Sequence, residues 1–186
     1  MARNPNARSR DMVISMAVIV IPVLLLVWFF SSPGEEGPQR VDVAAQLKRA
    51  TVESPYPLLV AEGLGEGWTP VRAAWAKEGQ PWITSEPAEA NSWQVGYLSP
   101  DQIYFGLQQR DGSGSAFVRA ATREGHAVGG EVDAAGRSWE RYESKDGRTS
   151  SLVSKGETDT AVIAADSDFV ALEAFAATLT EAAQQG

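Results

Sequence analysis

Residues 12–30, MVISMAVIVIPVLLLVWFF, carry no charged side chain and one hydroxyl, Ser15. No other stretch narrows so sharply what this chain can become. As a helix, nineteen residues rise about 28 Å, close to the roughly 30 Å hydrocarbon core of a bilayer. Pro22 falls mid-run and kinks such a helix without excluding it, because membrane helices tolerate proline. Trp28 suits the interfacial belt. The rival is a cleaved signal peptide, whose apolar core is about 7–15 residues long and ends in a small-x-small site. This run is longer, and SSPGEEG follows it without Ala-x-Ala. The absence of cysteine rules out a lipid-modified anchor. The expectation is therefore a retained transmembrane helix over 12–31, with the lipid bilayer as its partner. Arg3, Arg8 and Arg10 precede the span, and Glu35 and Glu36 follow it. The positive-inside rule then makes residues 1–11 a cytoplasmic tail and puts the rest outside the cell membrane.

Beyond the span, SSPGEEGPQR is polar and broken by Pro33 and Pro38, so 32–41 reads as a linker. Residues 42–186 read as one α+β domain. Asp42 caps a helix running to about Thr51. Period-two alternation marks six strands: 68–76, 92–98, 103–109, 138–144, 150–155 and 160–165. Ser99-Pro100-Asp101 and Asp146-Gly147 supply turns. A helix over 115–125 separates the two triplets. A second, over 168–183, carries an apolar stripe of Phe169, Leu172, Ala176, Leu179 and Ala183 behind an Asp168 cap. The short links predict antiparallel pairing, in the order α-βββ-α-βββ-α, with the helices on one face of a sheet of about six strands.

The net charge is −8, and the first eleven residues hold three arginines against one aspartate, leaving −10 for the remainder. So acidic a domain repels phosphate backbones, which argues against nucleic acid. The glycines of GLGEGWTPVRAAW (63–75) invite a nucleotide reading. Their spacing is G-x-G-x-G, no P-loop lysine follows, the next element is a strand, and Glu62 and Glu66 add negative charge. No nucleotide and no other cofactor is expected. His126 is the single histidine and reads as a loop residue; no G-x-S-x-G elbow exists to pair with it. One histidine without cysteine leaves only carboxylate metal sites, and D-S-D at 166–168 lacks the remainder of a calcium loop, so no metal is expected. The carboxylate pairs Glu131/Asp133 and Glu140/Glu143 are the nearest approach to a hydrolase dyad. Of the tryptophans, Trp68, Trp75, Trp93 and Trp139 fall on or at strands and read as core. Trp82, in the loop EGQPWITSEP, reads as loop packing or as a recognition aromatic for glycan or protein.

In several patches the chain resembles a family of actinobacterial single-pass membrane proteins, the domain of unknown function DUF4245. The resemblance rests on the arginine-flanked span, PYPLLVAEGLGEGWTPVRAAW, WQVGYLSPDQIYFGLQQ, GRSWERYES and TAVIAADSDFVALEAFAATL. It implies a cell-membrane protein with its domain outside, and brings no catalytic residue. The family's glycine-tryptophan at the start of the first strand corresponds to Gly67-Trp68. A secure span beside an empty catalytic inventory leads us to expect a non-enzymatic binding or accessory module of the cell envelope, met by an envelope protein or glycan. Trp68, Trp82 and Tyr104 are its candidate contact residues. The alternative expectation is a cell-envelope hydrolase working through carboxylates.

Overall fold

A computed structural model describes residues 5–30, 39–83, 86–112 and 114–182; the side chains of 5–11 and 28–30 fall outside the description. The chain divides into two units, Met1–Gly37 and Pro38–Gly186. In the first, helix α1 runs Pro5–Phe30 with Pro22 inside it. It begins within the stretch expected as a cytoplasmic tail. Residues 31–38, most of the expected linker, lie outside the described residues. Among the described residues no helix is long and apolar enough to cross a membrane. The apolar side chains of α1 over 12–27 are exposed on every side, among them Met12, Ile14, Val18, Ile21 and Leu25.

In the second unit, α2 (Val43–Glu53) starts where Asp42 accepts a hydrogen bond from the Ala45 N–H at 3.1 Å. Then come β1 (Leu59–Ala61), β2 (Thr69–Ala76), β3 (Ser92–Leu98), β4 (Tyr104–Asp111), α3 (Ser115–Ala121) and β5 (His126–Ala134). The chain continues through β6 (Arg137–Glu143), β7 (Ser150–Lys155), β8 (Asp159–Ala165), α4 (Phe169–Ala176) and β9 (Leu179–Glu181). Seven strands form one antiparallel sheet in the order β2-β3-β4-β8-β7-β6-β5. It consists of two meanders that join where their last strands, β4 and β8, pair at the centre. The α+β antiparallel expectation therefore describes the domain, with all six expected strands present.

Three features differ from expectation. First, β5 is a seventh sheet strand, and His126 begins it instead of lying in a loop. As an edge strand exposed along most of its length, β5 turns only Val132 and Ala134 toward the core, too short an alternation to mark it. A register shift at Gly129-Gly130, both at positive φ, breaks it further. Second, the last helix stops at Ala176, and Leu179–Glu181 pairs with β1. Leu179 is buried all the same, which is why the helical stripe appears to run on through it. Third, the helices do not share one face. The main core joins α2, α4, β1 and β9 to the inward residues Trp93, Val95, Phe105, Leu107, Trp139 and Ile163. Phe117, Val118 and Ala121 of α3 pack instead on Val153 and Val162, whose side chains leave the opposite face.

Trp93 and Trp139 are fully buried, their indole N–H groups donating to the carbonyls of Leu59 and Ala134 at 2.9 Å. Gln109, also buried, fastens β1 to the sheet. Its amide oxygen accepts from the Leu59 N–H at 2.6 Å, and its amide nitrogen donates to Asp159 at 2.9 Å. Asp159 in turn accepts two bonds from the Arg137 guanidinium at 2.8 and 2.9 Å. This buried, fully paired group spans β4, β6 and β8.

Candidate functional site

Strand parity sets the chemistry of the face that carries α3. Phe105, Leu107 and Gln109 turn into the main core, so Tyr104, Gly106 and Gln108 turn out. Gly96 on β3 is the cross-strand partner of Gly106. A Cβ on Gly96 would sit 2.5 Å from Cε2 and Cζ of Tyr104, and one on Gly106 would sit 2.9 Å from Cε1. The tyrosine ring thus lies flat over a shelf that exists because both residues beneath it are glycine. It remains 39% exposed. Burial raises the pKa of its hydroxyl; the charge of Arg72 and hydrogen bonding from Gln94 and Arg72 partly offset this.

A groove of about 490 Å³ runs beside this ring, between the sheet and the end of α3, with Gln108, Ala120, Arg123 and Asp166 in its walls. Arg123 and Glu124 follow α3 at φ of 55° and 58°. Left-handed backbone closes α3 as a C-cap, the Arg123 N–H donating to the Ala120 carbonyl at 3.2 Å and the Glu124 N–H to the Arg119 carbonyl at 2.7 Å. Arg123 is held by donating to Thr149 Oγ1 at 2.9 Å and Asp166 Oδ1 at 3.1 Å; the Thr149 hydroxyl donates to Asp166 at 2.6 Å. A second groove, of about 500 Å³, shares Gln108, Ala120 and Ala121 with the first and contains Trp82, Glu89 and Arg110. The Arg110–Glu89 pair is 3.4 Å long.

Two of the three expected contact residues, Trp82 and Tyr104, therefore border one connected depression. Trp68 does not. It lies toward the main core, 5.1 Å edge-to-face from Phe105 and stacked 5.7 Å from Phe175. It lines a separate pocket of about 370 Å³ with Gly63, Gly65 and Pro100. The glycine loop has a packing role. Gly67, at φ 89°, passes so close to Pro100 that a Cβ would sit 3.1 Å from its Cγ.

The structure brings together neither carboxylate pair expected from the sequence; it sets Glu131 opposite Glu140 across β5 and β6, one from each pair and away from the grooves. Glu131 and Asp133 are exposed on the edge strand β5, while Glu140 and Glu143, three apart on β6, turn to opposite faces. None of the four lines a groove described above. His126 is exposed, opposite Glu143. Among the described residues no group of histidine and acidic side chains is placed to hold a metal ion. In the D-S-D stretch, Asp168 caps α4 through the Ala171 N–H at 2.9 Å, and Asp166 is the partner of Arg123.

Gln108, Arg123, Thr149 and Asp166 were not singled out by the sequence, since nothing local marks residues from four separate segments as neighbours. Gly96 and Gly106 did carry a signal. A glycine inside an alternating strand weakens it unless something lies close against the backbone, and both have outward parity.

The sequence model of a family described as "Protein of unknown function (DUF4245)" matches residues 5–179, and the chain belongs to that family. Comparison with curated proteins found no match.

Proposed function

We propose that this member of the DUF4245 family is a membrane-anchored, extracytoplasmic and non-enzymatic binding module of the cell envelope. Its contact surface is the depression bordered by Tyr104 and Trp82. The observation that carries the reading is the Tyr104 shelf: two paired glycines give up side-chain packing so that an aromatic ring lies flat and accessible beside a groove. The anchor is supported by the uncharged run 12–30, apolar at almost every position, where the sequence of a helix packing on a domain would show a stripe. The flanking arginines and glutamates favour an outside domain. Trp68 is left out of the contact surface.

The test is photocrosslinking in cells. A photoreactive residue replaces Ala120, which is exposed and lines both grooves. A second chain carries it at Asp133, exposed on β5. The reading predicts envelope adducts from position 120 that exceed those from 133. Equal adducts from both, or adducts with cytosolic components alone, would refute it.

A further inference from the structure

The groove beside Tyr104 is charge-balanced, its lining Arg123 being paired with its lining Asp166. In the adjoining groove Arg110 is paired with Glu89, and Glu86 adds a further carboxylate. Beside Tyr104 an anionic ligand would have to break the Arg123–Asp166 pair, and a cationic ligand would have to compete with the arginine for its carboxylate. The depression is not apolar either. The walls beside Tyr104 include the Gln102 and Gln108 amides, the Thr149 hydroxyl and the Asp166 carboxylate. A neutral ligand with one apolar face and many hydroxyls on its rim matches both properties. We infer that the groove beside Tyr104 takes a neutral saccharide, one ring stacking its C–H face on the tyrosine. This rests on the binding role proposed above.

The chemistry of each wall fits that ligand. A pyranose offers axial C–H groups on one face, which suit the face of an aromatic ring, and adjacent equatorial hydroxyls that each donate and accept. Planar amides, with two donors and an acceptor, and a guanidinium beside a carboxylate satisfy such hydroxyl pairs in both senses. Asp166, which follows the Phe105 partner Ala165, lies at the Tyr104 end of the groove with Arg123 bonded to it, and Gln108 lines it four residues further along β4. A volume of about 490 Å³ falls within the roughly 300–1,000 Å³ range of small-molecule sites.

The test uses the full chain in a detergent without a sugar headgroup, which would otherwise compete. Chitotetraose, maltotetraose and mannotetraose are each offered at about 5 mM, enough to half-fill any site of that affinity or tighter. Saturation-transfer NMR reads binding. At least one of the three should show transfer, strongest at the C–H protons of a single ring face. Tyr104→Ala should weaken that binding about fivefold or more, the scale of one lost aromatic contact. Tyr104→Phe, which keeps the ring, should leave it within about threefold, and Trp68→Ala should leave it unchanged; both guard against loss by unfolding. Transfer that survives Tyr104→Ala, or no transfer from any of the three, overturns the saccharide assignment. If position 120 still crosslinks an envelope protein in that case, the binding role stands and its ligand is a protein. If it does not, both readings fall together.

Discussion

Gly96→Ala is the substitution on which the shelf beneath Tyr104 makes the sharpest demand. The new methyl would sit 2.5 Å from two ring carbons, so the ring must swing away. Tyr104 is 39% exposed, so about three-fifths of its roughly 200 Å² is buried, or ~120 Å². At about 25 cal/mol per Å² that burial contributes at most ~3 kcal/mol, and less because the unfolded chain is partly collapsed. A displaced ring keeps some of its contacts, so Gly96→Ala should cost roughly 1.5–3 kcal/mol. The backbone at Gly96 is not left-handed, and the three heavy atoms nearest to a Cβ there all belong to Tyr104. In a Tyr104→Ala background the clash disappears, and Gly96→Ala should become neutral or stabilise by about 0.4–1 kcal/mol through the unfolded state. The double-mutant cycle then shows a coupling of about 2 kcal/mol or more. Urea unfolding followed by circular dichroism reads it as shifts in midpoint at constant m-value. Equal costs in the two backgrounds would show that the ring does not lie over Gly96, and the shelf argument would fail.

Other parts of the structure carry their own expectations. Arg137→Met leaves Asp159, whose side chain is 1% exposed, without its guanidinium, which should cost about 3–5 kcal/mol in urea unfolding; Asp159→Asn in the same chain should recover part of it, and a cost below ~1 kcal/mol would contradict the pairing. Asp168→Ala removes the α4 cap and should cost about 1 kcal/mol, read as a lowered Tm. Burial pushes the Tyr97 phenol up to about 12, from an ordinary value near 10. Because the folded pKa is the higher, this contribution is intact below about pH 10 and is lost as pH rises from there towards 12, on the order of 2–3 kcal/mol in all. Stability measured across that window should fall less steeply in Tyr97→Phe than in the parent.

Legibility of the fold in the sequence followed burial. WQVGYL alternates and lies in the sheet with Trp93 and Val95 turned into the core, whereas TAVIAA is apolar almost throughout because β8 is covered on both faces, Ile163 by the main core and Val162 by α3. Strand β5 was illegible because His126–Ala134 is exposed and broken at paired glycines. The end of α4 was misread because Leu179 is equally apolar as the next turn of a helix or as a strand residue over the core. The side of the sheet that α3 occupies depends on how the β4–α3–β5 connection crosses the sheet, which periodicity does not encode. For the site, Trp82 was named for its place in a loop and Tyr104 as a candidate contact residue. Their shared depression was not legible, because it closes only when Gln108, Arg123 and Asp166 arrive from three distant segments.

The central claim, a binding surface held outside the cell by the N-terminal span, can be tested with one cysteine. The chain contains none of its own, so Ala120→Cys places a single thiol in the wall of both grooves, on an exposed helical position. Intact cells are treated with a membrane-impermeant maleimide, and labelling is compared before and after lysis. The account predicts that the full-length protein, recovered in the membrane fraction, is labelled to the same extent without lysis as with it. Labelling that appears only after lysis, or a protein that leaves the membrane fraction, would contradict it.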